Sequence, residues 1–106
     1  MTKDEIMAFA KENKVKLSVT WWEETVWLNR IIVPKAMRGK GLGGTIIKML
    51  KEYVSNKNIP LRLLADSCYG TEINQLMNIY RSFGFESYKE KGSKNPHYMV
   101  YYPSKK

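Results

Sequence analysis

The hydrophobic positions of this chain change period several times, and each change marks an element. Ile6, Phe9 and Ala10 stand at helical spacing behind Thr2-Lys3-Asp4-Glu5, a capping box with acids in the first turn, so a helix should end near Asn13-Lys14. Val15, Leu17 and Val19 then alternate with Lys16, Ser18 and Thr20, the pattern of a half-buried strand that Trp21-Trp22 extends. Glu23-Glu24 makes a polar turn, and Thr25 to Val33 climbs as a second strand, completing an antiparallel hairpin. From Thr45 to Ser55 the period is helical again. Ile46, Ile47, Leu50, Tyr53 and Val54 share one face, with Lys48, Lys51, Glu52 and Lys57 opposite. Asn56 to Pro60 breaks this helix, and the nearly continuous apolar run Leu61 to Ala65 predicts a central strand covered on both faces. Asp66 to Gly70 reads as a loop and Thr71 as a cap for a third helix, whose face is Ile73, Leu76, Met77, Tyr80 and Phe83. Gly84 stops that helix, and Phe85 folds back on its last turn. Glu86 to Glu90 and His97 to Tyr102 are the final strands, around a polar loop at 91–96, and 103–106 should fray.

This order predicts an α/β (α+β) fold: a single mixed, mostly antiparallel sheet flanked by helices. At 106 residues, 43% of them apolar, the chain reads as one globular domain over 1–106. No apolar run has the length of a membrane span, and Met1 to Glu5 lacks the core of a signal peptide, so a cytoplasmic protein is expected. The lone Cys68 excludes an internal disulfide and a cysteine-rich metal site; no metal is expected, and a reducing compartment fits. A net charge of +8 favours polyanionic partners or a phosphorylated cofactor, although lysines dispersed along the chain also read as solvated surface.

One stretch falls outside the periodicity. Between the second strand and the second helix, Val33 to Thr45 holds four glycines, Gly39, Gly41, Gly43 and Gly44, with Arg38 and Lys40 among them. Glycine lets the backbone approach a ligand, and successive N–H groups entering a helix form an anion site, so the stretch reads as a phosphate cradle. A Walker A loop is excluded because no lysine precedes Thr45. Gly39, Gly41 and Gly44, with Asp66 ending the next strand, match the dinucleotide fingerprint. That fingerprint requires the strand to run almost directly into the first glycine. Here Pro34 to Arg38 intervene, Pro34 cannot continue a ladder, and the chain is too short for two mononucleotide-binding halves.

Leu28-Asn29-Arg30-Ile31-Ile32-Val33-Pro34 followed by Arg38-Gly39-Lys40-Gly41-Leu42-Gly43 resembles the GNAT superfamily of acyl-CoA-dependent N-acetyltransferases, whose pyrophosphate loop reads Arg/Gln-x-x-Gly-x-Gly/Ala. Ile79-Tyr80-Arg81-Ser82-Phe83-Gly84-Phe85-Glu86 resembles the second signature of that family, Leu-Tyr-x-x-x-Gly-Phe. The two flank one short strand in the family's order, and the resemblance runs from about Trp27 to Glu86.

The resemblance implies a GNAT-like acyl-CoA N-acyltransferase fold and acetyl transfer from acetyl-CoA to an amine by direct attack, with coenzyme A as product. It implies that Arg38, Gly39, Lys40, Gly41, Leu42, Gly43, Gly44 and Thr45 bind the pyrophosphate. It also implies that Ile31, Ile32 and Val33 run along the pantetheine arm, and that Tyr80 donates a hydrogen bond to the departing thiolate. Each also has a plain structural reading, Ile31 to Val33 as core strand and Tyr80 as a core aromatic. The family's glutamate base has no counterpart, since no acid lies between Thr25 and Arg38. Asn29 could position a water, on one strand face with Trp27 and Ile31, and Glu23 and Glu24 are the nearest acids. His97, the only histidine, reads as surface and Cys68 as a buried thiol. One short helix stands where the family usually carries two, so the acceptor cleft should be open, suiting a protein lysine or N-terminus. Compact relatives of this kind occur in phages and mobile elements and acetylate host proteins. An acidic or nucleic-acid-associated acceptor would match the charge; monomer and homodimer both stay open. The alternative is a catalytically weak module that binds CoA or an acidic partner, and the third reading is a basic nucleic-acid-binding domain.

Overall fold

The computed structural model describes residues 2–37, 39, 41–65 and 73–103. Helix α1 (Lys3–Glu12) leads into strands β1 (Lys16–Trp21) and β2 (Val26–Ile32), then a 3-10 turn (Lys35–Met37), helix α2 (Leu42–Lys57) and strand β3 (Leu61–Leu64). Helix α3 (Ile73–Ser82) and strands β4 (Glu86–Ser87) and β5 (Tyr98–Tyr101) are the last elements among the described residues. The five strands form one sheet in the order β1-β2-β3-β5-β4. Among the described residues only β2 and β3 pair in parallel, and α2 is the crossover that such a pair requires.

Local chemistry sets the helix ends. Thr2 and Glu5 form both bonds of the capping box, Glu5 N to Thr2 Oγ1 at 3.2 Å and Thr2 N to Glu5 Oε1 at 3.0 Å. All three helices then close alike. The N–H groups of Val15, Ile59 and Phe85 donate to the carbonyls of Ala10, Val54 and Tyr80 at 2.8, 3.1 and 3.2 Å. Each bond spans a residue with positive φ: Lys14 at 59°, Asn58 at 55° and Gly84 at 97°. These are Schellman caps, in which the apolar residue past the left-handed one folds back on the helix just before the next strand.

The helices bury their apolar stripes on one face of the sheet. Ile6, Ala10, Ile46, Leu50, Val54, Met77 and Tyr80 join one cluster with Val26, Leu28, Leu61, Leu63 and Met99. The opposite face is built differently. Trp27, Arg62 and Val100 stand at one level across it, and Val100 is fully buried there yet lies outside the helix-side cluster.

Three expectations from the periodicity change. Strand β3 is central but covered by helices on one face only: Leu61 and Leu63 are buried, while Leu64 on the other face is 38% exposed. Helix α2 begins at Leu42, not Thr45, and so absorbs Gly43 and Gly44. A Cβ at Gly44 would sit 3.0 Å from Phe83 Cζ, so this glycine is where the end of α3 closes on the start of α2. Strand β4 stops at Ser87, well short of Glu90; the Tyr88 N–H still donates to the Tyr98 carbonyl at 3.1 Å, and the chain then peels away. The expected roles of Arg38, Lys40, Asp66, Cys68 and Thr71 fall outside the described residues.

Candidate functional site: a forked sheet below a glycine-entered helix

The parallel ladder between β2 and β3 covers only Val26–Leu28 against Leu61–Leu63, yet β2 runs on to Ile32. Beyond Leu28 the two strands part, leaving a fork whose β2 arm, among the described residues, pairs only with β1. A bulge lies at the branch point. Ser18 faces Arg30 and Val19 faces Leu28, so Asn29 is the extra residue. A bulge bends its strand and resets which side chains face inward. Unbroken alternation from Val26 and Leu28 would turn Arg30 and Ile32 toward the helices. Instead Ile31 and Val33 pack on the helix-side core. The expectation that Trp27, Asn29 and Ile31 share a face is thus corrected: Ile31 crosses over, while Asn29 stays on the open side, donating from Nδ2 to Thr20 Oγ1 at 2.8 Å.

Above the fork, Pro34 ends the strand and the 3-10 turn carries the chain into the glycines. Gly39 and Gly41 have φ of 85° and 77°, conformations that a side chain disfavours. Gly41 is the N-cap of α2 and supplies no side-chain hydrogen bond to the first turn. Its helix therefore starts with N–H donors that no cap side chain satisfies, at the positive end of a 16-residue dipole. A Cβ at Gly39 or Gly41 would meet nothing within 4 Å among the described residues, which leave open space in front of this backbone. These features fit an anion such as a pyrophosphate, with Leu42 and Gly43 in the first turn. A Cβ at Gly43 would lie 3.7 Å from Val33 Cγ2, an ordinary contact. The Thr45 hydroxyl donates to the Gly41 carbonyl at 2.9 Å, which commits its proton inside the helix.

Tyr80 sits in the last turn of α3, 8% exposed, its ring edge-on to Phe85 at 5.8 Å. The Gly84 cap fixes its carbonyl, so the Tyr-x-x-x-Gly-Phe run has a structural purpose of its own. Burial raises the Tyr80 pKa, keeping the phenol protonated at neutral pH.

At the apex of the fork, on the open face, is a pocket of about 360 Å³. Among the described residues it is lined by Trp27, Leu28, Asn29, Leu64, Glu90 and Tyr98. Sequence reasoning singled out only Asn29 of these six. Glu24 lies in the exposed turn before β2, five residues from Asn29 and outside this lining. His97 directly precedes β5, its carbonyl accepting from the N–H of Ala65, just past β3, at 3.0 Å. Among the described residues no group of three or more His, Cys, Asp or Glu could hold a metal, and no helix is long and apolar enough to cross a membrane.

No protein-family model matches the chain, and no curated protein matches its sequence. Solved structures do match its shape. The anti-CRISPR protein AcrVA5 superposes with a TM-score of 0.66 at 19% identity, over 82% of this chain and 88% of that one. A protein of Bacteroides thetaiotaomicron assigned to the GNAT acetyltransferases gives 0.61 at 16% identity, over 82% and 53%. A variant of the AtaT toxin, bound to acetyl-CoA and the C-terminus of the antitoxin AtaR, gives 0.57 at 17% identity, over 84% and 56%. The chain has the GNAT acyltransferase fold. It spans about half the length of the Bacteroides and toxin chains and most of AcrVA5. Within this GNAT fold, the glycine turn, the forked strands and the Tyr80 helix are the three segments that carried the sequence resemblance.

Proposed function

We propose that this protein is an N-acetyltransferase that uses acetyl-CoA to acetylate an amine. The observation that carries the reading is the fork between β2 and β3 opening directly below a helix N-terminus with no side-chain cap. In this reading Gly39, Gly41, Leu42, Gly43 and Gly44 present backbone to the pyrophosphate, with Arg38 and Lys40 adding charge and Thr45 at the end of the turn. The β2 edge at Ile31, Ile32 and Val33 runs beside the pantetheine arm. Acetyl-CoA supplies the activated acetyl group: a C–S bond is exchanged for a C–N bond, the nitrogen loses one proton and the sulfur gains one. Tyr80 provides a protonated phenol for that sulfur, and Asn29 holds a water toward the attacking nitrogen.

The acceptor is a protein amine, a lysine or an N-terminus, and it approaches the fork from the open face of the sheet, where Leu64 is 38% exposed and a pocket lies beside Asn29. The test is free-thiol release from acetyl-CoA in the presence of an amine-bearing peptide, alongside calorimetric titration of CoA. Thiol release that depends on the amine supports the transferase. CoA binding without release would instead leave a CoA-binding module, the reading favoured by the lack of any acid between Thr25 and Arg38. No CoA binding would refute both.

A further inference from the structure

The open-face pocket joins aromatic walls to one carboxylate. The Trp27 and Tyr98 rings meet at 6.0 Å and 81°, and Tyr88 packs beside Tyr98 at 5.9 Å. Leu64, 38% exposed, adds an aliphatic side to the lining. Glu90 is placed here because β4 ends early. Were the strand continued in register, Glu90 would stand opposite Pro96, away from Tyr98. The chain instead leaves the sheet after Tyr88, and Glu90 enters the pocket wall. The Tyr88 hydroxyl donates to Glu90 Oε2, while the Arg62 guanidinium lies 5.1 Å from the Tyr88 ring centroid. That bond orients the carboxylate, whose second oxygen, Oε1, is a further acceptor.

Aromatic and aliphatic walls with a carboxylate among them complement one kind of side chain: a cation on an unbranched apolar stem. The stem packs on Trp27, Leu64 and Tyr98, and the cationic head reaches Glu90. A carboxylate there is a local exception on a chain of net charge +8, and at physiological salt screening confines the wider field to about 8 Å. We propose that this pocket receives the acceptor as a lysine-type ammonium, with Glu90 as the residue that selects for the cation; the ammonium gives one proton to solvent before attack, and the neutral amine then loses its second as the C–N bond forms. Its role as an acceptor site rests on the acetyltransferase reading; the binding chemistry does not. The same protein therefore combines a basic surface, suited to an acidic macromolecule, with an acidic pocket suited to a lysine on it.

The probe is Nα-acetyl-lysine methylamide, followed by the NMR shift of the Trp27 indole N–H, with the neutral norleucine analogue as control. The lysine probe should shift Trp27 saturably, and norleucine should bind about tenfold more weakly, the factor expected for losing one hydrogen bond to a charged group. Glu90→Gln should weaken the lysine probe by a similar factor and raise KM for a lysine peptide, with CoA affinity unchanged. Equal binding of the two probes, an unaltered affinity in Glu90→Gln, or no shift at Trp27 would overturn the proposal. CoA titrated on the same samples separates the two ideas: lysine binding without CoA binding sinks the transferase and spares the pocket, and the reverse sinks the pocket alone.

Discussion

Gly41→Ala separates the conformational role of the glycine turn from its binding role. Gly41 holds φ 77° and ψ 13° as the N-cap of α2, and a Cβ there would touch nothing within 4 Å among the described residues. In the free protein the substitution therefore costs only backbone strain. A left-handed non-glycine residue costs about 1–2 kcal/mol, and alanine recovers about 0.4–1 kcal/mol by restricting the unfolded chain. The net loss of about 1 kcal/mol should lower Tm by about 4–8 °C in a domain of this size. The fold should survive, since Lys14 and Asn58 already hold φ of 59° and 55°. CoA binding should suffer more. The new methyl group fills the space in front of the α2 N–H groups, and each charge-assisted bond lost costs about 1.5–3 kcal/mol, more than tenfold in affinity. Circular dichroism melts and calorimetric titration of CoA measure the two effects separately. Gly43→Ala is the control for stability, because Gly43 is helical and its Cβ would make an ordinary contact 3.7 Å from Val33. A lowered Tm with undiminished CoA affinity would refute the glycine turn as the phosphate site. An unchanged Tm would refute the strain argument.

Three further outcomes follow from named contacts. Tyr80→Phe should lower turnover by about a hundredfold, the low end for a positioned proton donor, with CoA affinity unchanged; undiminished turnover in thiol-release kinetics would return Tyr80 to a purely structural role. Lys14→Gly should raise stability by about 0.5–1 kcal/mol, because a side chain is removed from a left-handed cap; a lower urea midpoint would contradict this. Burial and the bond to Glu90 push the Tyr88 pKa from 10.0 to about 12, so the unfolded chain ionises first. Stability is then intact below pH 10.0 and declines as pH rises toward about 12, and Tyr88→Phe should flatten that decline in alkaline melts. An unchanged slope would exclude the Tyr88–Glu90 contact as its source.

Features held within a few residues were legible in the chain. Thr2 and Glu5 close a capping box that four letters predict, and Gly84-Phe85 close on Tyr80 by a bond spanning five residues. The glycines at 39 and 41 stand out because only backbone freedom explains them there. The two motifs pointed to a fold that the structural neighbours share, even though no sequence match accompanies them. The Gly43-Gly44 pair misled the helix boundary, since low helix propensity was outweighed by the packing of Phe83 on Gly44.

The set of elements, their caps and the place where an anion can meet bare backbone follow from the residues alone. Each depends on hydrogen bonds and periodicities that close within one or two turns of chain. The site between those elements arises instead from how the strands pair across the whole sheet. The bulge at Asn29 exists because β1 and β2 pair out of step across a hairpin, and it moves Ile31 to the helix side. The fork exists because β3 matches only the first part of β2, and the pocket exists because β4 releases the chain early enough for Glu90 to reach it. Strand pairing joins residues that are distant in the chain, so register is set by the whole sheet and its core. No local pattern around Glu90 could announce that it would line a pocket with Trp27.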